Sequence, residues 1–220
     1  QGGGHSHCGG MIYLGDNWPK EYRGRMLMCN THGKRVNQDL LVRHGSGYVA
    51  KHAADFMLAN SDWFRGVELK YGPDGSVYVT DWTDLGECHD RDGIHRRSGR
   101  IYKVRYGDAA PPRVLNLQAQ SNQQLVQLQL HPNDWFVRHA RRILQERAVR
   151  GDSMQRTHNQ LSRMLRENQD VTRQLRALWA LHVTGGLEER SLVLLLGHER
   201  EEIRKWVVRL MVSPQHFNDK

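Results

Sequence analysis

The chain has few cysteines and no long apolar run. Its three cysteines, Cys8, Cys29 and Cys88, are far apart and form no CxxC pair, so they indicate neither a disulfide framework nor a zinc knuckle. We interpret them as buried or free thiols. No apolar stretch approaches the roughly 18 residues that a membrane span requires. With 38% hydrophobic residues and charges of both signs, the composition predicts a folding chain without a transmembrane segment.

Several functional motifs are also missing. The sequence contains no Walker motif, nucleophile elbow or dinucleotide fingerprint, which argues against ATP, serine hydrolase and NAD chemistry. Its net charge of +8 is spread over alternating acids and bases rather than gathered on a stripe with aromatics, so nucleic-acid binding is not expected. The opening Gln-Gly-Gly-Gly has neither a Met nor a signal-peptide core. We interpret this start as an interior cut in a longer protein.

Glycine marks a change along the chain, because 17 of the 21 glycines lie in residues 1–107. This part contains short β-type runs separated by Gly, Asp and Asn turns: Arg25–Asn30, Arg35–Val42, Val67–Tyr71, Ser76–Asp81 and Arg100–Val104. After it, Pro111-Pro112 disfavours both helix and central strand. We predict a β domain over residues 1–107, a linker over 108–132 and a helical domain over 133–220.

The last part carries apolar residues at helical spacing, most clearly at Ile203, Trp206, Val207, Leu210 and Met211. Three helices share an apolar residue followed by Arg, at intervals of 38 and 28 residues: Val137-Arg138, Leu175-Arg176 and Ile203-Arg204. Helix pairs at about 30–45 residues per unit are typical of a HEAT-like α-solenoid, and the 28-residue interval, short for this class, indicates a trimmed second unit. An ordinary helical bundle with coincident arginines is the alternative.

The β part also repeats. The run from Arg25 to Asn30 parallels the run from Ser76 to Asp81, and each is followed by a loop and a second run that restarts at glycine. The offset of 51 residues between Met26 and Val77 is close to the length of one four-stranded propeller blade. The β part would then be about two blades of a partial β-propeller. Closed propellers need at least about four blades, so we expect the chain to be the last portion of a longer protein.

Several motifs resemble one known family. They are His5-Ser-His-Cys-Gly-Gly-Met-Ile-Tyr-Leu-Gly-Asp-Asn-Trp-Pro19, Asn30-Thr-His-Gly-Lys-Arg-Val-Asn37, Asp62-Trp-Phe-Arg65, Tyr71-Gly-Pro-Asp-Gly75, Asp81-Trp82 and Gly99-Arg-Ile-Tyr102. Over residues 5–106 they look like the C-terminal blades of PVC-type membrane-bound dehydrogenases, relatives of glucose/sorbosone dehydrogenase propellers. Residues 133–148 resemble the first HEAT-type helix that follows the propeller there.

This resemblance implies an extracytoplasmic or periplasmic oxidoreductase, membrane-associated in its full-length form, that acts on a sugar or polyol. It implies pyrroloquinoline quinone (PQQ) and calcium as cofactors, and a histidine base that takes a hydroxyl proton while hydride passes to the quinone. Electrons would go to a c-type cytochrome domain or protein. Because the chain has no CxxCH, haem c is implied only for a longer protein.

The candidate site residues fall into three groups. His5 and His7, beside Cys8, have a spacing that could ligate one metal, and turn-lining histidines are the alternative. Asn30, His32, Asp81 and Asp84 follow equivalent β-runs and would gather at one pocket, or Asn30 and Asp81 would simply cap strands. Arg65 could offer its fork of donors to a carboxylate or quinone oxygen, or lie on the surface against Trp63.

A long loop from Asp84 to Arg97 is dense in ionisable groups, and loops of this length are often functional. His89 and Arg91 are expected to contact a cofactor, and Asp90 and Asp92 are spaced to share a cation. A solvated charged loop is the alternative. We assign catalytic roles to His7, His32 and Asp81. The rival interpretation is a non-catalytic propeller–solenoid module that binds a glycan or a protein partner.

Overall fold

The structure is a computed structural model that describes residues 6–82, 85, 95, 97–108 and 116–212. The chain divides into two compact units, residues 1–113 and residues 114–220. The first unit is built from antiparallel strands and the second from helices. This confirms the predicted order of a β part followed by an α part.

The described residues of the first unit form two antiparallel sheets. In one sheet, four consecutive strands pair in chain order, and a short fifth strand pairs with the third. These strands are β1 (His7–Ile12), β2 (Met26–Asn30), β3 (Arg35–His44), β4 (Gly47–His52) and β5 (Met57–Leu58). In the other sheet the order is β6 (Gly66–Tyr71), β7 (Val77–Asp81) and β8 (Arg100–Val104). A 3-10 turn at Lys20–Tyr22 lies between β1 and β2.

The five predicted β-runs correspond to β2, β3, β6, β7 and β8. The strands β2 and β7 are both second in their sheets, so the 51-residue repeat relates equivalent strands. The sequence did not predict β1, β4 or β5. The strand β1 contains Gly9 with a positive φ, and its register with β2 shifts between Cys8 and Met11, so it lacks a clean alternation.

The two sheets pack against each other through β1, β2 and β6. Their buried side chains include Tyr13, Leu27, Val36, Phe64, Leu69, Val77 and Val79. Tyr13 donates a hydrogen bond from its hydroxyl to the carbonyl of Gly75 at 2.7 Å, within the turn between β6 and β7. In this predicted Gly72–Gly75 turn, Gly75 has φ +71°, which glycine tolerates best.

A hairpin arm, residues 39–52, extends from the first sheet. It consists of the second half of β3 and all of β4, and every residue of β4 is exposed. Val42 and Val49 face each other across the two strands, with exposed fractions of 42% and 46%. Because both faces of this hairpin meet solvent, it has no inward-outward pattern from which a strand could be predicted.

The described part of the second unit, residues 116–212, contains six α-helices: α1 (Asn122–Gln127), α2 (Asp134–Val149), α3 (Gln155–Glu167), α4 (Val171–Val183), α5 (Glu189–Leu195) and α6 (Glu201–Met211). Two 3-10 turns flank α1, at Leu117–Ala119 and Leu128–Leu130. Asn133 caps α2 by accepting a hydrogen bond from the amide of Trp135. Helix α3 begins after Met154, which makes no side-chain capping hydrogen bond. Gly185 follows α4 with φ +75°, as expected for a glycine after a helix.

The helices contact one another in two series. Helices α2, α4 and α6 pack one after the next, while α1 packs on α3 and each even-numbered helix contacts its predecessor. The three repeated Val/Leu/Ile-Arg pairs all lie on the even-numbered helices. Trp179 of α4 and Trp206 of α6 are in edge contact, with ring centroids 4.9 Å apart.

The predicted linker over residues 108–132 differs from the structure. From Asn116 onward this segment forms the two 3-10 turns and α1, with Ser121 as the N-cap of a complete capping box. Leu117, Leu125 and Val126 are buried in the core of the helical unit. The helical unit therefore begins before residue 133, because these apolar side chains cover helices α2 and α3.

Among the described residues, no helix is long and apolar enough to cross a membrane.

Candidate functional site

Four strand ends meet at one place in the first unit. His7 at the start of β1 lies opposite Asn30 at the end of β2, and Gly66 at the start of β6 lies opposite Asp81 at the end of β7. The Thr31 hydroxyl bridges the two sheets by donating to the carbonyl of Gly66 at 2.9 Å. We call this group, His7, Asn30, Thr31, Arg65, Gly66 and Asp81, the strand-end cluster.

Asn30 and Asp81 use side-chain oxygens to hold the backbone. The Asn30 Oδ1 accepts a hydrogen bond from the amide of Gly33 at 2.8 Å and closes the turn between β2 and β3. The Asp81 Oδ1 accepts one from the amide of Arg65 at 2.7 Å, next to the start of β6. Both side chains are buried. These contacts match the capping alternative, and they give a physical reason why the two residues end equivalent runs.

Arg65 is buried, with 4% of its surface exposed. Its NH1 donates to the carbonyls of Asp62 and Phe64, and its NH2 donates to the carbonyl of Leu85 at 3.0 Å. The alternative prediction, that Arg65 lies on the surface against Trp63, is therefore wrong. The fork of donors is occupied by main-chain carbonyls, so the geometry does not leave it pointing at a ligand. The Nε atom alone is buried without a hydrogen-bond partner among the described residues.

The two predicted bases lie near the same strand ends. His7 is exposed, and His32 is half-buried in the turn that follows β2. An imidazole can accept a proton near neutral pH, so either side chain has the chemistry of a general base. Their catalytic roles stay predictions.

The remaining predicted site residues lie outside the described residues: His5, Asp84, His89, Asp90, Arg91 and Asp92. Within the part of the chain that the structure describes, no group of three His, Cys, Asp or Glu side chains could hold a metal ion. The metal site expected at His5, His7, Asp90 and Asp92 is thus represented by His7 alone.

A second polar cluster lies at the base of the hairpin arm and was not predicted. His52 lies 3.2 Å from a carboxylate oxygen of Asp39 and 3.8 Å from one of Asp55. Asp55 also accepts hydrogen bonds from Arg35 at 2.9 Å and Asn37 at 2.7 Å. The pairing of β3 with β4 sets Asp39 opposite His52. Strand register, which no local motif encodes, joins Asp39 to His52, whereas His52 and Asp55 are three residues apart in the chain.

The helical unit has an open cleft of about 340 Å³. One wall is a single face of α2, and the other is the 3-10 turn that follows Asn116. The cleft is lined by Asn116, Leu117, Gln118, Trp135, His139, Arg142, Ile143 and Glu146. We call it the helical cleft.

One end of the helical cleft is aromatic and the other is charged. The rings of Trp135 and His139 stack, with centroids 4.0 Å apart and planes 25° apart. Arg142 donates from Nε to Glu146 at 2.8 Å, and Gln118 donates to the other carboxylate oxygen at 3.3 Å. Arg142 and Gln118 hold the pKa of Glu146 below its usual range, so this carboxylate is ionised at neutral pH. The cleft thus combines a flat ring surface with hydrogen-bonding groups.

Residues 2–108 match a family described only as a domain of unknown function, DUF7133. The match covers the strand-rich unit and stops short of the helices. Neither the curated proteins nor the solved structures include a match to this chain.

Proposed function

We propose that this chain is part of an extracytoplasmic oxidoreductase, a quinone-dependent sugar or alcohol dehydrogenase that passes electrons to a c-type cytochrome. In this proposal the first unit forms two adjacent propeller blades. The observation that carries it is the packing of β6 against β1 and β2, combined with equivalent strands 51 residues apart. Adjacent blades of a propeller would bring their first strands together in this way, and the family resemblance supplies the chemistry.

The helices support the second part of the proposal, a HEAT-like solenoid. Helices α2, α4 and α6 pack successively, as equivalent helices of stacked repeats would. Arg176 of α4 also donates to the carbonyls of Gln129 and His131, which precede α2. A side chain that joins one helix pair to the next is expected in a stack of repeats.

In the proposed enzyme, His7 and His32 would supply the base for the hydroxyl proton. Asn30, Asp81 and Arg65 would act as the framework, since the hydrogen bonds described above join their side chains to the backbone. A quinone would be reduced by the hydride when bound. The described residues do not fit the implied cofactors, because the Arg65 fork is occupied and no cation site is present among them. The other residues assigned to PQQ or calcium, His5, Asp84, His89, Asp90, Arg91 and Asp92, lie outside the described residues.

The test is dye reduction by the complete native polypeptide that carries this sequence, supplied with PQQ, Ca²⁺ and a panel of sugars and polyols. We expect His7→Ala or His32→Ala to lower kcat by about 10²-fold or more, as loss of a general base does. His44→Ala, at the exposed tip of the hairpin arm, is the matched control and should leave kcat unchanged. If no donor reduces the dye, the oxidoreductase proposal fails.

A second candidate function is a non-catalytic module that binds a glycan. The helical cleft favours it, because stacked aromatic rings accept the C–H face of a sugar while Arg142, Glu146 and Gln118 can bond its hydroxyls. The backbone contacts of Asn30 and Asp81 agree with a first unit that has no catalytic role.

Glycan-array binding by the whole chain tests this second candidate. His139→Ala removes the exposed ring and should weaken the best-binding glycan at least about tenfold, a loss of about 1.4 kcal/mol. His198→Ala, at a half-buried histidine that is not among the cleft-lining residues, should bind as the wild type does. Equal loss in both variants, or no bound glycan, would contradict the assignment.

A further inference from the structure

Two of the three cysteines lie side by side in the first sheet. Cys8 of β1 is directly opposite Cys29 of β2 in the antiparallel register. The amide of Thr31 donates a hydrogen bond to the carbonyl of Ser6, so Ser6 and Thr31, which lie opposite each other, form a hydrogen-bonded pair. By alternation, Cys8 and Cys29 also form a hydrogen-bonded pair, with Cα atoms about 5.5 Å apart. Cα separations of about 5.5–6 Å are the commonest in disulfides.

Both sulfur atoms lie against the same residue of the neighbouring sheet. The Cys8 Sγ is 3.5 Å from the carbonyl oxygen of Gly66, and 3.4 Å from the Thr31 hydroxyl. A Cβ placed on Gly66 would come within 3.0 Å of the Cys29 Sγ. Side chains of directly opposite residues project from the same face of a sheet, and Gly66 bounds that face here. The two thiols therefore face the same residue of the neighbouring sheet.

We propose that Cys8 and Cys29 are a disulfide-forming pair that joins β1 to β2 when the protein meets an oxidising environment. Both thiols are free in the structure. Cys8 is partly exposed and Cys29 is fully buried, so an external oxidant reaches Cys8 first. This modification site lies beyond the proposed activity and does not depend on it.

With oxidised glutathione as the oxidant, the exchange has two steps. The Cys8 thiolate attacks one glutathione sulfur, which breaks the glutathione disulfide and releases one glutathione thiolate. Cys29 then loses its proton and attacks the Cys8 sulfur of the mixed disulfide, which releases the second glutathione. The net change is one protein disulfide formed, one glutathione disulfide reduced and two glutathione thiols produced.

The bond would close a loop over the 20 residues between the two cysteines. It would also fix the edge that carries His7, Asn30 and Thr31, because these residues adjoin the two cysteines on β1 and β2. Oxidation should therefore raise the urea midpoint of the first unit, and a thiol reductant should reverse the rise.

The experiment is non-reducing peptide mapping of the whole chain after equilibration with oxidised glutathione. Trypsin places the three cysteines in different peptides, 1–20, 26–34 and 71–91. We expect peptides 1–20 and 26–34 to be joined, with loss of the two corresponding thiols. A link from either cysteine to Cys88, a link between chains, or persistent free thiols at both positions would overturn the proposal.

Two variants sharpen this result. Cys88→Ser removes the third thiol and should leave the Cys8–Cys29 link intact. Cys8→Ser in that background should abolish the link and, because Cys29 is fully buried, leave the remaining thiol unmodified in the folded protein. The mapping of the wild-type chain decides the question by itself, whether or not the variants fold.

Discussion

Arg176 of α4 donates from NH2 to the carboxylate of Asp134, the first residue of α2, at 3.1 Å. Its side chain is only 5% exposed and that of Asp134 15%. The other guanidinium nitrogen, NH1, donates to the carbonyls of Gln129 and His131, ahead of α2. One buried arginine therefore satisfies three acceptors around the start of α2.

Replacing this arginine should destabilise the helical unit. Arg176→Ala leaves the buried carboxylate and two carbonyls without the guanidinium, and we expect a loss of about 3 kcal/mol in the free energy of unfolding. Arg173→Ala is the matched control, because its contact with Asp170 is 3.9 Å long and exposed, and it should cost less than about 1 kcal/mol. Urea unfolding followed by helical circular dichroism measures both. Equal losses of unfolding free energy in the two variants would contradict a stabilising role for the buried Arg176.

Substitution of Gly75, with Gly107 as the control, tests the packing of the turn between β6 and β7. A Cβ on Gly75 would lie 2.4 Å from the backbone nitrogen of Asn17, and its φ is +71°. Gly107 has φ +57° with nothing within 4 Å. We expect Gly107→Ala to cost about 1 kcal/mol from backbone strain alone, and Gly75→Ala to cost clearly more because the chain must also move. Thermal melts of the two variants should rank in this order, and the reverse ranking would contradict the packing of Tyr13 against this turn.

The buried thiol of Cys29 makes stability depend on alkaline pH. Burial raises the pKa of Cys29 to about 12, whereas a cysteine in an unfolded chain titrates near about 8.5. Between these values the unfolded chain has released a proton that the folded chain keeps. The free energy of unfolding therefore falls by about 1.4 kcal/mol per pH unit above about pH 9, until the folded thiol also titrates.

Urea titrations from about pH 8 to about pH 11, in a thiol reductant, measure this slope. Cys29→Ala should show a shallower decline, because the titrating group is absent. Tyr13 also has a pKa raised by burial, but it is present in both proteins and drops out of the comparison. Parallel slopes for the two proteins would exclude a buried neutral thiol at position 29.

The exposed edge strand of the hairpin arm should favour self-association of the first unit when that unit is isolated. We expect an isolated fragment of residues 1–107 to associate or to stay partly unfolded, because β4 is an exposed edge and its apolar side chains meet water. Val49→Lys places a charge on this edge and should reduce association in sedimentation experiments. Lys51→Arg, on the same strand, keeps the charge and should not. A monodisperse fragment that melts cooperatively would count against the interpretation as two blades of a larger propeller.

The sequence predicted those elements whose information is local. Turn residues bounded β2, β3, β6, β7 and β8, and apolar spacing indicated the helices of the second unit. The arrangement of the helices into two contacting series was also suggested, by the spacing of the Val/Leu/Ile-Arg pairs.

The rest depends on contacts that no local pattern encodes. The burial of Arg65 requires the carbonyl of Leu85, 20 residues away. The contact of His52 with Asp39 follows from the register of β3 and β4. The helical cleft exists because the turn after Asn116 packs beside α2. The sequence predicts a linker over this segment because it follows Pro111-Pro112.

The edge contact between Trp179 and Trp206 gives the helical unit an optical signature of its own. Two indoles 4.9 Å apart couple their electronic transitions, and this coupling vanishes when α4 and α6 separate. Arg141 lies 5.4 Å from one indole and Arg209 lies 5.0 Å from the other, so both rings also sense a nearby positive charge. Separation of these two helices can thus be followed in the intact chain by circular dichroism.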